Sequence, residues 1–139
     1  MTIYYPFTYL NEYIALTNKA SYGKGKNYNP ANKVKRDTTN FVYYAMLNKP
    51  KIKTPCRLKF TWLVKNKQRD LDNIAFAKKY ILDGFVKAKI IPNDNLNCII
   101  GFQDEFEISD KVGVKVEEIE WMILYLIICM KHLSLIKRE

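Results

Sequence analysis

Hydrophobic and polar residues alternate most cleanly over positions 56 to 65. Cys56, Leu58, Phe60, Trp62 and Val64 interleave with Arg57, Lys59, Thr61, Leu63 and Lys65, a period of two that predicts a strand buried on one face. Upstream, Asn11 is placed to cap a short helix through Lys19. Pro30 suits the first position of a second helix, in which Val34, Phe41 and Ala45 recur at helical spacing until Pro50 ends the run. Downstream, Asp70 to Ala88 reads as a helix with the apolar stripe Ile74, Ala77, Ile81, Phe85 and Ala88, opened by aspartates that favour its dipole and first amide groups. A turn over Ile90 to Asn95 leads to three short predicted strands, Leu96 to Phe102, Phe106 to Ile108 and Val112 to Ile119, read as a meander. That order of elements is α+β.

A chain of 139 residues, 48% apolar and with five Gly and five Pro, fits one small domain without a low-complexity linker. From Trp121 to Met130 ten apolar residues follow one another. As a helix they would rise about 15 Å, half the hydrocarbon thickness, so a buried terminal element or an interface is predicted in place of a membrane span. The division expected is a domain over 1–118 and an apolar extension over 119–139. Three cysteines, at 56, 98 and 129, contain no C-x-x-C pair, and the start of the chain does not read as a secretory signal; a reducing cytoplasm fits both. The one histidine, His132, argues against Ser-His-Asp or Cys-His chemistry and against a multi-histidine metal site, which leaves any catalysis to carboxylates.

Charge separates the two halves. Residues 1–67 hold 13 Lys and Arg against Glu12 and Asp37, a balance of +11, whereas residues 68–139 hold 10 against 12, a balance of −2. The densest part, Lys19, Lys24, Lys26, Lys33, Lys35 and Arg36 with Tyr22 and Tyr28, suits an arm lying along a phosphate backbone, with tyrosines able to stack on exposed bases. A solvated surface on a basic protein is the plainer alternative.

Arg69-Asp70-Leu71-Asp72-Asn73 stands between the predicted strand and helix, and Asp94 stands in the turn Pro92-Asn93-Asp94-Asn95. With an extended backbone through Asp72, the carboxylates of Asp70 and Asp72 project from one face, and Asp94 can return to the same end of the sheet. Three carboxylates there suit magnesium, which takes oxygen ligands, activates water and polarises a phosphodiester. Helix capping and ordinary turn chemistry explain the same residues without a metal. On a helical wheel Lys79 falls within about 20° of Asp72 while Lys78 falls about 120° from it. Lys79 would hold a scissile phosphate or, alternatively, form a surface pair with Asp83.

Taken in order, Arg69-Asp70-Leu71-Asp72-Asn73-Ile74, Lys79, Leu82-Asp83-Gly84-Phe85 and Ile90-Ile91-Pro92-Asn93-Asp94 resemble the core signature of the RusA-type Holliday junction resolvases, with fainter similarity from Leu10 to about Val116. The resemblance implies a homodimer with a mixed sheet and two to three helices that nicks a four-way DNA junction symmetrically. It implies magnesium, with manganese as a possible substitute, on Asp70, Asp72 and Asp94, with Lys79 as the catalytic lysine and Lys19, Lys24, Lys26, Lys33, Lys35, Arg36 and Arg69 on the DNA. No membrane and no small-molecule cofactor are expected. Phe76 stands four residues after Asp72, where the best-known members carry the lysine; a three-residue insertion, about one helical turn, leaves Lys79 on the same face. A nuclease for flaps or forks, and a basic DNA-binding protein without catalysis, are the other readings.

Overall fold

The computed structural model describes residues 1–23 and 26–119. The element order is β1 (Thr2–Tyr4), α1 (Leu10–Thr17), β2 (Ser21–Gly23), β3 (Lys26–Tyr28), α2 (Pro30–Met46), β4 (Cys56–Val64), α3 (Leu71–Ala75), α4 (Lys78–Lys87), β5 (Ile99–Ile108) and β6 (Gly113–Glu118). One mixed sheet has the strand order β1-β6-β4-β5, and β2 and β3 form a separate hairpin. The fold is a small single-domain α+β structure, as the sequence predicts.

The alternating strand is the centre of the sheet. Leu58, Phe60 and Trp62 are fully buried and form one side of a core completed by Val42, Met46, Ile74, Ile81 and Phe85 from the helices. Burial of this apolar area supplies most of the driving force for folding. The predicted meander is corrected. Strand β5 is one continuous strand that pairs in parallel with β4, Leu58 against Phe102 and Val64 against Ile108. Strand β6 instead lies antiparallel on the other side of β4. A parallel pair needs a crossover, and α3 with α4 provides it.

Helix boundaries differ from the prediction where caps decide them. Helix α1 starts at Leu10 with Tyr9 at its cap position, ahead of Asn11. Asn29 caps α2 by accepting from Ala31 N at 3.0 Å, with Pro30 at the first helical position. The buried stripe of α2 is Ala31, Thr38, Val42 and Met46, rotated from the predicted Val34, Phe41 and Ala45, and Phe41 is exposed. The predicted helix 70–88 divides at Phe76 and Ala77, where Ala77 N donates to Ile74 O and Lys79 N to Phe76 O. These three-residue steps tighten one turn between α3 and α4. Among the described residues no helix is long and apolar enough to cross a membrane. The apolar run 121–130 lies outside the described residues.

Candidate nucleic-acid and phosphodiester site

The first turn of α3 carries Asp70 and Asp72, and α1 holds that turn in place. Asn73 is buried, and its Oδ1 accepts from Asn11 N at 2.9 Å, satisfying one of the amide groups that the start of α1 leaves without an intrahelical partner. Beside it, Glu12 accepts from Tyr9 N at 3.1 Å and from Arg69 Nη2 at 2.6 Å. The Arg69 guanidinium lies 5.0 Å from the centre of the Tyr9 ring. Burial pushes the Tyr9 hydroxyl up in pKa, and Arg69 opposes that shift.

Asp70 is extended (φ −68°, ψ 146°) at the cap position of α3 and makes no side-chain capping bond. Asp72 is already helical, which corrects the expectation of an extended chain through both residues. Its Oδ1 accepts from Asn73 N at 2.9 Å. Both aspartates are exposed, and among the described residues neither belongs to an ion pair.

Asp94 does not return to their end of the sheet. Because β4 and β5 are parallel, Asp70 and Asp72 follow the end of β4 at Val64, whereas Asp94 precedes the start of β5, where Ile99 pairs with Cys56. Asp94 instead meets α4. Its Oδ2 lies 3.8 Å from Lys79 Nζ, and Lys79 stands about 10 Å of helical rise beyond Asp72. Among the described residues no three His, Cys, Asp or Glu side chains group closely enough to hold one metal ion. Asp70, Asp72 and Asp94 are oxygen donors of the right chemistry for magnesium but are not gathered as a trio. Magnesium commonly uses only one or two carboxylates, with water and phosphate completing its shell, and a single exposed aspartate of this turn meets that smaller requirement.

Lys79 is the hub of a second arrangement. It donates to Asp83 Oδ1 at 2.6 Å, the other oxygen of Asp83 lies 3.8 Å from Lys35 on α2, and Asp94 is its second carboxylate neighbour. The hydrogen bond to Asp83 holds the Lys79 amine above its ordinary pKa; burial opposes it, and the charges of Asp83 and then Asp94 add to the rise. The triplet Asp83-Gly84-Phe85 thereby acquires a physical meaning. Asp83 joins two lysines, Phe85 is fully buried, and Gly84 lets α4 pass close to α2. A Cβ on Gly84 would lie 2.6 Å from Cβ of Val42 and closer still to its Cγ1.

Lys78 faces elsewhere, as the wheel predicts. Its amine donates to Asp104 Oδ2 at 2.6 Å, while Asp104 Oδ1 accepts from Trp62 Nε1 at 2.9 Å. It also lies over the rings of Phe60 and Phe102. Lys78 belongs to the packing between helix and sheet.

The candidate DNA-binding residues are dispersed. Lys33, Lys35 and Arg36 lie on α2, so the predicted arm is partly helix. Lys33 and Arg36 share Asp37 at 2.7 and 3.4 Å. Lys19 is exposed after α1, Lys26 belongs to β3, and Lys24 lies outside the described residues. Sequence reasoning passed over Lys65 and Lys67. With Arg69 they make an exposed basic loop directly before Asp70, and this loop borders a cavity of about 390 Å³ shared with Phe7, Tyr9 and Glu12. The signal was a Lys-x-Lys-x-Arg spacing ahead of the first aspartate.

No family model matches the chain, and no curated protein is significantly similar to it.

Proposed function

We propose that this chain is a RusA-type, magnesium-dependent endodeoxyribonuclease that acts as a homodimer on four-way DNA junctions in the cytoplasm of a bacterium or a phage-infected host. The observation that carries the reading is the 3.8 Å approach of Lys79 to Asp94. Two positions that the sequence resemblance assigns to one site, one on α4 and one in the turn before β5, are in electrostatic contact, and Asp83 ties Lys79 to Lys35 on the basic helix.

Asp70 and Asp72 are the proposed donors for magnesium, with manganese as a substitute, while Asp94 stays beside Lys79 and outside the metal's shell. Magnesium supplies Lewis-acid assistance to phosphodiester hydrolysis. The chain's own residues supply the rest. Lys79 neutralises charge on the phosphate oxygens, Glu12 and Asn73 orient the aspartate-bearing turn, and basic residues of α2 and of loop 65–69 hold the DNA backbone. Two-fold symmetry of dimer and junction pairs the two cuts.

A basic DNA-binding protein without catalysis is the second reading. It is favoured by the separation of Asp94 from the other two aspartates and by the ordinary four-residue ion pair between Lys79 and Asp83. A single assay separates the two. Purified protein is offered a synthetic four-way junction, a flap and a linear duplex, with and without magnesium. Symmetric, ligatable nicks in the junction only with magnesium are expected. Cutting of the flap alone would move the substrate, and junction binding without cutting of any substrate in magnesium or manganese would leave the non-catalytic reading.

A further inference from the structure

A seam between two helices carries the DNA reading further. On α2, Asn32, Lys35, Arg36, Thr39 and Asn40 recur every three or four residues, so they form one polar stripe beside the buried one. On α4, Asp83 and Lys87, four residues apart, meet that stripe at Lys35 and Asn40. Between the helices lies an open concavity of about 360 Å³ lined by Lys35, Arg36, Lys87, Asn32, Asn40 and Asp83. We propose that this seam is a binding site for the phosphodiester backbone of DNA, with Lys87 as a cation of the interface and Asp83 as the counter-charge that positions Lys35 and Lys79 before DNA arrives. The inference rests on the DNA reading above and adds a location to it.

The chemistry of the lining selects an anion with several oxygens. Three cations face one carboxylate, and the neutral groups between them are two amides and the Thr39 hydroxyl, which suit phosphate oxygens once the cations have set the charge. Lys87 is already oriented, donating to Asn40 Oδ1 and lying 5.0 Å from the centre of the Tyr43 ring. The carboxylates offer little competition. Lys35 is 3.8 Å from Asp83, and Arg36 shares Asp37 with Lys33; such exposed pairs are worth roughly 0–1 kcal/mol and yield to a phosphate. Gly84 makes the seam narrow, since only a residue without a side chain allows α4 to sit this close to Val42. Through Asp83 the seam continues to Lys79 and Asp94, so a backbone lying in it leads toward the candidate site. On the outward face of the sheet Lys59 stands beside Glu105 and Lys115 beside Glu117.

The test is the salt dependence of junction binding, because each phosphate neutralised contributes about 0.9 to the slope of log K against log salt. Lys87→Gln is expected to reduce the slope by about 1, and Lys35→Gln with Lys87→Gln by about 2. Lys87→Arg, which keeps the charge, should preserve it, and Lys115→Gln on the sheet should leave it unchanged. Circular dichroism and melting establish that each variant is folded, and each single lysine variant is measured on its own. A slope in the Lys35/Lys87 variant equal to that of the parent, with junction binding and cutting intact, overturns the seam and leaves the nuclease reading standing. A parent protein that does not bind DNA overturns both.

Discussion

Lys79 Nζ lies 3.8 Å from Asp94 Oδ2 and donates to Asp83 at 2.6 Å. One amine therefore stands between a carboxylate of its own helix and a carboxylate from the turn before β5. Lys78, its neighbour in sequence, is committed to Asp104 beneath the helix layer. Adjacent lysines have unrelated environments because 100° of helical rotation separates a seam from a core edge.

Replacement of these two lysines should give opposite results. Lys79 is about half exposed, so Lys79→Ala should alter stability by no more than about 0.5 kcal/mol while slowing junction cleavage steeply. Lys78 is mostly buried, and Lys78→Ala removes its packing over Phe60 and Phe102 together with its pair to Asp104, at a cost of about 0.5–3 kcal/mol, with a much smaller effect on cleavage of the protein that remains folded. Denaturant melts and single-turnover cleavage provide both quantities. Equal, small effects on cleavage would return Lys79 to the role of a surface pair.

Asp70 makes no capping bond in the structure, so Asp70→Asn should leave the melting temperature nearly unchanged. Cleavage of a four-way junction in magnesium should be abolished and junction affinity retained, as measured by gel assays on the same preparation. Undiminished cutting would remove Asp70 from the catalytic assignment.

Gly84→Ala tests the close approach of α2 and α4. Alanine favours a helix over glycine by about 1 kcal/mol, but the added methyl overlaps Val42, and overpacking costs about 1–3 kcal/mol. Net destabilisation is expected in a thermal melt. The double change with Val42→Ala should be less destabilising than the sum of the single changes, because the two alterations share one contact.

Asn73 is predicted to matter for stability. Asn73→Ala removes the acceptor of Asn11 N and leaves a partly buried amide unsatisfied, a loss of about 1–3 kcal/mol. Hydrogen exchange should show increased opening at the start of α1. An unchanged melt would mean that α1 docks on α3 without this bond.

The sequence by itself determined the central strand, because alternation over nine residues survives any arrangement of its neighbours. It also determined the apolar stripe of Ile74, Ala77, Ile81 and Phe85, and Pro30 as the first residue of α2. Strands β1, β2 and β3 have three residues each, too few to display a period. Strand β5 looked like two strands because Gln103, Asp104 and Glu105 are all exposed and interrupt its apolar pattern. Of the candidate site, the sequence identified the acidic and basic residues and the different faces of Lys78 and Lys79. Tertiary structure alone decided which charges meet. The parallel pairing of β4 and β5 sends the chain back along α4, and this path brings Asp94 to Lys79 and keeps it from the turn that holds Asp70 and Asp72. Local spacing cannot specify such a contact, because it depends on the direction in which two strands run.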